Sequence, residues 1–290
     1  MSHLREKSST ASMLRLLLPP QAYVYDVDGV LADATGYVDS PLLDEMTRQL
    51  TEGKVIGINS KRSLSWLTEY VVDPLEAHFP GDRERIQSMQ RLMVMGEMGS
   101  VWMIFNEWGG RECFCDAPLT VPHTLFEEIH MLAQQKMYAS VFAYANKQTM
   151  MSMERVGGVR DRDYTQAQEN LVAYLQLLLQ HHELDHLWKI DATRLGTDIK
   201  PRDIGKDLGT RRFFAWLQTR NLYPLEYIVI GDSITDLPIG NELYRSGMHV
   251  TFVFVGLPEH VQDYTFPFPV LITQARYCQG TLEYLKKMTK

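Results

Sequence analysis

Two apolar runs in this chain break off into aspartates. Tyr23-Val24-Tyr25 gives way to Asp26-Val27-Asp28-Gly29, and Ile228-Val229-Ile230 gives way to Gly231-Asp232-Ser233-Ile234-Thr235-Asp236. Neighbouring side chains on a strand point to opposite faces, but a glycine-led turn breaks that alternation and lets both carboxylates converge. Clustered carboxylates resist ionising together, so one keeps a proton or a cation sits between them. In parallel α/β sheets such groups gather where strands stop and loops begin. In one parallel sheet, two such strand ends can bring their carboxylates to one edge.

The pattern around these runs agrees. Residues 22–26 read as a buried strand. A helix follows over 41–52, with Ser40 as N-cap, Pro41 at the first helical position and Gly53 as its stop. Residues 55–59 read as a strand ending at Ser60, 63–69 as a short helix and 93–95 as a strand before the turn Gly96-Glu97-Met98-Gly99. The alternation resumes with a helix at 204–220, a strand at 227–230, a helix at 236–246, strands at 250–255 and 270–273, and a closing helix at 280–288. This is the signature of a parallel sheet covered on both faces.

The middle reads differently: a helix at 122–137, paired strands at 139–145 and 149–156, an amphipathic helix at 164–182, then strands at 187–192 and 197–199. Helix–strand–strand, twice, implies an antiparallel sheet with helices on one face. The expected fold is α/β, a doubly wound parallel sheet at 20–102 and 197–290 with an inserted α+β cap at 103–196. Residues 1–19 form a tail.

Composition narrows the function. Of 290 residues, 45% are hydrophobic and 22% charged, and the net charge of −7 comes with no basic cluster, which argues against nucleic acid. No apolar stretch approaches the roughly 18 residues of a membrane helix. The run Met13-Leu14-Arg15-Leu16-Leu17-Leu18 is short, is stopped by Pro19-Pro20 and lacks a small-residue cleavage site, so it does not read as a signal peptide. Three cysteines, Cys113, Cys115 and Cys278, fit a reducing, cytoplasmic setting rather than a disulfide framework.

Asp26, Asp28, Ser60, Asp232 and Asp236 all follow apolar strands. Four carboxylates at one edge need a cation, and oxygen-only ligands favour Mg²⁺. Lys206, at a helix start, adds fixed positive charge. Carboxylates, Mg²⁺, a hydroxyl and a lysine suit phosphoryl transfer, where catalysis is mostly positioning and charge neutralisation.

In the order and spacing of these residues the chain resembles the haloacid dehalogenase-like (HAD) phosphatases. Asp26-Val27-Asp28-Gly29-Val30 is similar to their first motif, Ser60 to the second, Lys206 to the third and Gly231-Asp232-Ser233-Ile234-Thr235-Asp236 to the fourth. The resemblance implies Asp26 as nucleophile and Asp28 as general acid/base. It implies that Ser60 and Lys206 hold the phosphoryl group, that Mg²⁺ is bound by Asp26, the Asp28 carbonyl and Asp232, and that Asp236 supports the metal shell or Lys206. Lys61 and Arg62 are expected at the substrate beside Ser60. Ile199-Lys200-Pro201-Arg202-Asp203-Ile204-Gly205-Lys206 and Gly96-Glu97-Met98-Gly99 resemble the subgroup capped between the second and third motifs. That subgroup includes sugar-phosphate phosphatases and phosphomannomutases. Thr235 stands where it often has Asn, Val30 where Thr is commonest, and Met98 where Asn is usual. The expected substrate is a small phosphorylated metabolite such as a sugar phosphate, and a phosphomutase is the alternative within the fold.

Other motifs compete. His182-Glu183-Leu184-Asp185-His186 fits the H-E-x-x-H pattern of zinc peptidases, but lacks a clear third ligand and carries Asp185 where such helices are uncharged. Arg155, Arg160 and Arg162, flanking Gly157-Gly158, read as a solvated loop or as a lid gripping an anionic substrate. Met89, Met93, Met95, Met98 and Met103 read as core filler. A phospho-binding module without turnover is a further reading.

Overall fold

The computed structural model describes residues 21–33 and 35–288; the tail at 1–19 lies outside them. Eight strands form the larger sheet: β1 (Ala22–Tyr25), β2 (Val55–Asn59), β3 (Leu92–Gly96), β4 (Val101–Phe105), β5 (Arg111–Cys115), β10 (Glu226–Gly231), β11 (His249–Phe254) and β12 (Val270–Ile272). Their order is β12-β11-β10-β1-β2-β3-β4-β5. The first five pairings along the row are parallel, and β4 and β5 extend the sheet as antiparallel strands.

Strand alternation divides the core into two apolar layers. Tyr23, Tyr25, Ile56, Ile58, Ile228 and Ile230 face the layer formed with α1 (Ser40–Thr51). Ala22, Val24, Val55, Tyr227 and Val229 face Phe213 and Leu217 on the opposite side. Both sides are buried, which is why these strands read as continuous apolar runs. Ser40 opens α1 rather than capping it: Asp39 holds the N-cap position and Pro41 lies in the first turn.

The second sheet is antiparallel, in the order β6-β7-β9-β8, from β6 (Phe142–Asn146), β7 (Met151–Arg155), β8 (Trp188–Ala192) and β9 (Gly196–Pro201). Two helices, His123–Gln134 and Asp161–His181, supply Leu125, Ile129, Leu171 and Leu175 to its apolar core with Met151, Met153 and Ile199. The inserted unit thus has helices on one face, as its sequence pattern implies.

Two boundaries differ from the sequence expectation. Residues 197–201, read as the return to the core, complete β9 in the cap sheet, where they pair with β7 and β8. Residues 103–115, read above as the start of the cap, belong to the core sheet: β4 pairs with β3, and β5 pairs with β4. The cap begins after Cys115. The turn at Gly96-Glu97-Met98-Gly99 reverses the chain into another core strand rather than leading out of the core. Met89, Met93, Met95 and Met103 are buried as core residues. Cys113 and Cys115 are free thiols on β5. Among the described residues no helix is long and apolar enough to cross a membrane.

Candidate active site

β10, β1 and β2 lie side by side in parallel, with Tyr25 level with both Ile230 and Ile58. The residues that follow these strands therefore emerge together. The Asp26 amide donates to the Ile230 carbonyl (3.1 Å), tying the first acidic loop to the base of the fourth motif. Gly29 adopts φ +77°, and a Cβ there would lie 2.4 Å from Asp232 Oδ2. Only glycine accommodates that conformation and that approach together.

Lys206 is the hub. It opens a helix over Lys206–Thr219, is 6% exposed, and its Nζ lies 2.6 Å from Asp26 Oδ1 and 2.5 Å from Asp236 Oδ1. Asn59 Nδ2 donates to the Lys206 carbonyl (2.7 Å), fixing the start of that helix against β2. The other Asp236 oxygen, Oδ2, accepts from the amides of Asp232 (3.0 Å) and Ser233 (3.1 Å). Asp236 is therefore fully engaged in shaping the loop and orienting Lys206.

Asp26, Asp232 and Asp236 each offer an oxygen within 4.8 Å of the others. Burial drives the Asp26 carboxyl well above the usual carboxylate range, with Lys206 pulling back and Asp236 and Asp28 adding repulsion. Burial, then Asp236, push Asp232 up to about 7. Burial works against the Lys206 ammonium, but Asp236 and Asp26 outweigh it and raise its affinity for the proton. One lysine faces three carboxylates, so the pocket has spare negative charge and oxygen-only donors. That donor set fits a hard divalent cation such as Mg²⁺.

Ser60 is buried, and its hydroxyl accepts from the Arg62 amide (3.2 Å). Arg62 forks over Asp28, with Nη2 2.7 Å and Nε 3.1 Å from its oxygens. Its Nη1 lies 3.4 Å from Glu154 on the cap strand β7, and its guanidinium stacks over Trp66 at 4.7 Å. Arg62 thus spans core and cap.

The cap contributes a polar face that the sequence reading did not single out. Met151, Met153 and Ile199 point to the helices, so Ser152, Glu154, Asp198 and Lys200 take the other face of their strands. Lys147 Nζ donates to Ser152 Oγ (2.6 Å), which donates to Asp198 Oδ1 (2.5 Å). Lys200 Nζ lies 2.8 Å from Asp191 and 3.0 Å from Met98 Sδ of the core. Burial lowers the Lys147 ammonium below the usual lysine range, against the pull of Asp198 and Glu154. The signal was present in sequence: β7 and β9 alternate apolar with polar residues, while helices cover only one face.

Arg155 and Arg160 have other partners. Strand alternation turns Arg155 to the helix side, where it stacks on Tyr164 at 4.7 Å and pairs with Asp161 at 2.7 Å. Arg160 pairs with Asp163 and is largely exposed. The H-E-x-x-H segment is not one helical face, because the helix ends at His181 and Glu183 adopts φ +57°. His182 Nε2 instead lies 2.9 Å from Glu128.

This is the fold of the capped haloacid dehalogenase-like proteins. No protein-family model and no curated protein sequence matches the chain. Among solved structures, it is similar to the C-terminal domain of C. albicans trehalose-6-phosphate phosphatase, with a TM-score of 0.65 and 13% identity over 94% of this chain and 93% of that one. A haloacid dehalogenase-like hydrolase from Bacteroides thetaiotaomicron aligns with a TM-score of 0.59 and 12% identity, over 93% of this chain and 99% of that one. IMP-bound Plasmodium falciparum IMP-nucleotidase aligns with a TM-score of 0.54 and 13% identity, over 93% of this chain and 68% of that one.

Proposed function

We propose that the protein is a Mg²⁺-dependent phosphomonoesterase acting on a small polyhydroxylated phosphate, such as a sugar phosphate, through an aspartyl-phosphate on Asp26. The observation that carries this reading is the buried Lys206 bridging Asp26 and Asp236, with Asp232 alongside. Asp26 attacks phosphorus while Lys206 and the Ser60 hydroxyl hold the phosphoryl oxygens. Asp28 protonates the leaving oxygen and then accepts a proton from the attacking water, with Arg62 orienting its carboxylate. Asp26 and Asp232 would hold Mg²⁺ with the Asp28 carbonyl, leaving Asp236 to Lys206 and the loop amides. When bound, the ion supplies neutralisation of charge on the phosphoryl oxygens.

The substrate class rests on the cap. Lys147, Ser152, Asp198 and Lys200, all buried, and the half-buried Glu154 mix donors and acceptors on one face, a surface suited to several hydroxyls rather than to an apolar leaving group.

The test is turnover of a phosphoester panel with Mg²⁺ and with chelator. Activity should require the metal, and Asp26→Asn should lower kcat by at least about a thousandfold while leaving the melting transition cooperative. Asp28→Asn should accumulate acid-stable phosphoenzyme. Undiminished turnover by Asp26→Asn would reject the nucleophile, and metal analysis showing about one tightly held zinc per chain would favour other chemistry.

A further inference from the structure

Glu97 is a buried carboxylate that the proposed chemistry does not use. It is 1% exposed, and no lysine or arginine pairs with it among the described residues. It is satisfied instead by one turn of the cap. The Gln148 amide lies 3.0 Å from both its oxygens, while the Thr149 amide (2.8 Å) and the Thr149 hydroxyl (2.7 Å) donate to Oε2. Gln148 and Thr149 lie in the connection between β6 and β7, whose next strand carries Ser152 and Glu154 on the polar face.

The core side of the contact is equally specific. The Glu97 amide donates to the Arg62 carbonyl (2.9 Å) and the Met98 amide to the Ser60 carbonyl (2.8 Å). Glu97 and Met98 adopt φ +48° and +59°, a left-handed pair without glycine that the surroundings must hold in place. The next residue, Gly99, packs so closely on Gly209 that a Cβ would lie 2.2 Å from its Cα, which seats the turn on the helix that starts with Lys206.

We infer that Glu97 is the fixed point of the cap: a positioning residue that grips the β6–β7 turn and ties its placement to the loop bearing Ser60 and Arg62. Its carboxylate gives four acceptor directions to three donors. Replacing it by glutamine removes acceptors and sets an amide N–H against a donor, although the volume is conserved. The turn then loosens, and with it the register between the cap's polar face and the phosphate pocket. This inference deepens the functional reading above and rests on it only for its kinetic arm.

Amide exchange of the folded full-length chain decides it. In Glu97→Gln, the Gln148 and Thr149 amides should exchange at least about tenfold faster, with β1 and β2 unchanged. Undiminished protection of these two amides overturns the inference, and so does equal loss throughout the core. Thr149→Val removes one donor and Thr149→Ser keeps it. The first should raise KM for the best hexose phosphate of the panel about fivefold, the second should restore it, and kcat/KM for p-nitrophenyl phosphate, whose leaving group carries no hydroxyls for the cap's polar face, should stay within about twofold. Equal losses on both substrates overturn it. If the wild type turns over no phosphoester, the functional reading falls while the exchange measurement still judges the clamp.

Discussion

The acidic pocket and the polar face of the cap are both largely buried, charged surfaces, but they are built in opposite ways. The pocket draws Asp26, Ser60, Lys206, Asp232 and Asp236 from four distant segments, each placed by the end of a strand or the start of a helix. Its groups close on one another: Lys206 on two carboxylates, Asp236 on two backbone amides. The cap face uses alternate positions of two neighbouring strands with Lys147 from the β6–β7 connection, and its groups form an open chain, Lys147 to Ser152 to Asp198. Changing one pocket group orphans its neighbours. Changing one cap group alters a surface whose backbone is held by the sheet and by Met151, Met153 and Ile199 behind it. The first architecture suits invariant chemistry, and the second suits a recognition surface that can vary.

The largest effect expected from that contrast is at Lys206. Lys206→Met leaves Asp26 and Asp236 facing each other without their cation, at a position only 6% exposed. Stability should fall by about 3–5 kcal/mol, read by denaturant unfolding, and turnover should fall with it. A fully active, fully stable variant would erase the distinction between closed and open polar networks.

Next comes pH. Asp232 is pushed to about 7 when folded without metal, against about 4 in an unfolded chain. The folded state therefore holds the extra proton between these values. Its contribution to stability is complete below about pH 4 and is lost as pH rises through about 7. The metal-free wild type should lose melting temperature more steeply than Asp232→Asn between about pH 5 and pH 8, and Mg²⁺ should restore it to the wild type alone. Identical slopes in the two proteins would remove the charge-excess argument for a cation.

The smallest effect is on the cap. Lys147→Met should raise KM for a hexose phosphate by roughly tenfold, the loss of about one charged hydrogen bond, with kcat for p-nitrophenyl phosphate little changed. A fall in kcat on both substrates would mean that the cap face belongs to the chemical machinery and not to recognition.

How far the sequence carried the reading follows the same division. The pocket was legible because each of its residues sits at a punctuation mark: an apolar run meeting Asp-x-Asp-Gly, a second meeting Gly-Asp-Ser, a strand ending in serine. Local chemistry announces such positions wherever the chain later goes. The cap face was less legible, because Ser152 and Asp198 are ordinary residues until one knows which side of their strands the helices cover. Arg155 shows the same limit: one residue from Glu154, it faces the helices, and only strand register tells the two apart. The β4–β5 extension was missed although its turn was read, because nothing local in Gly96–Gly99 says whether the chain next pairs back onto β3 or leaves for the cap. Arg62 was expected at the substrate, and its fork over Asp28 depends on how two loops meet, which no local pattern encodes.

The second unit enters after Cys115 and leaves before Lys206 as one unbroken stretch, and both ends of that stretch return to the same body. Among the described residues the chain crosses between the two bodies only twice. A foreign lid of matching span can therefore be spliced between these crossings without re-threading any strand beneath it, so long as it offers the Gly96–Ser100 corner something equivalent to grasp.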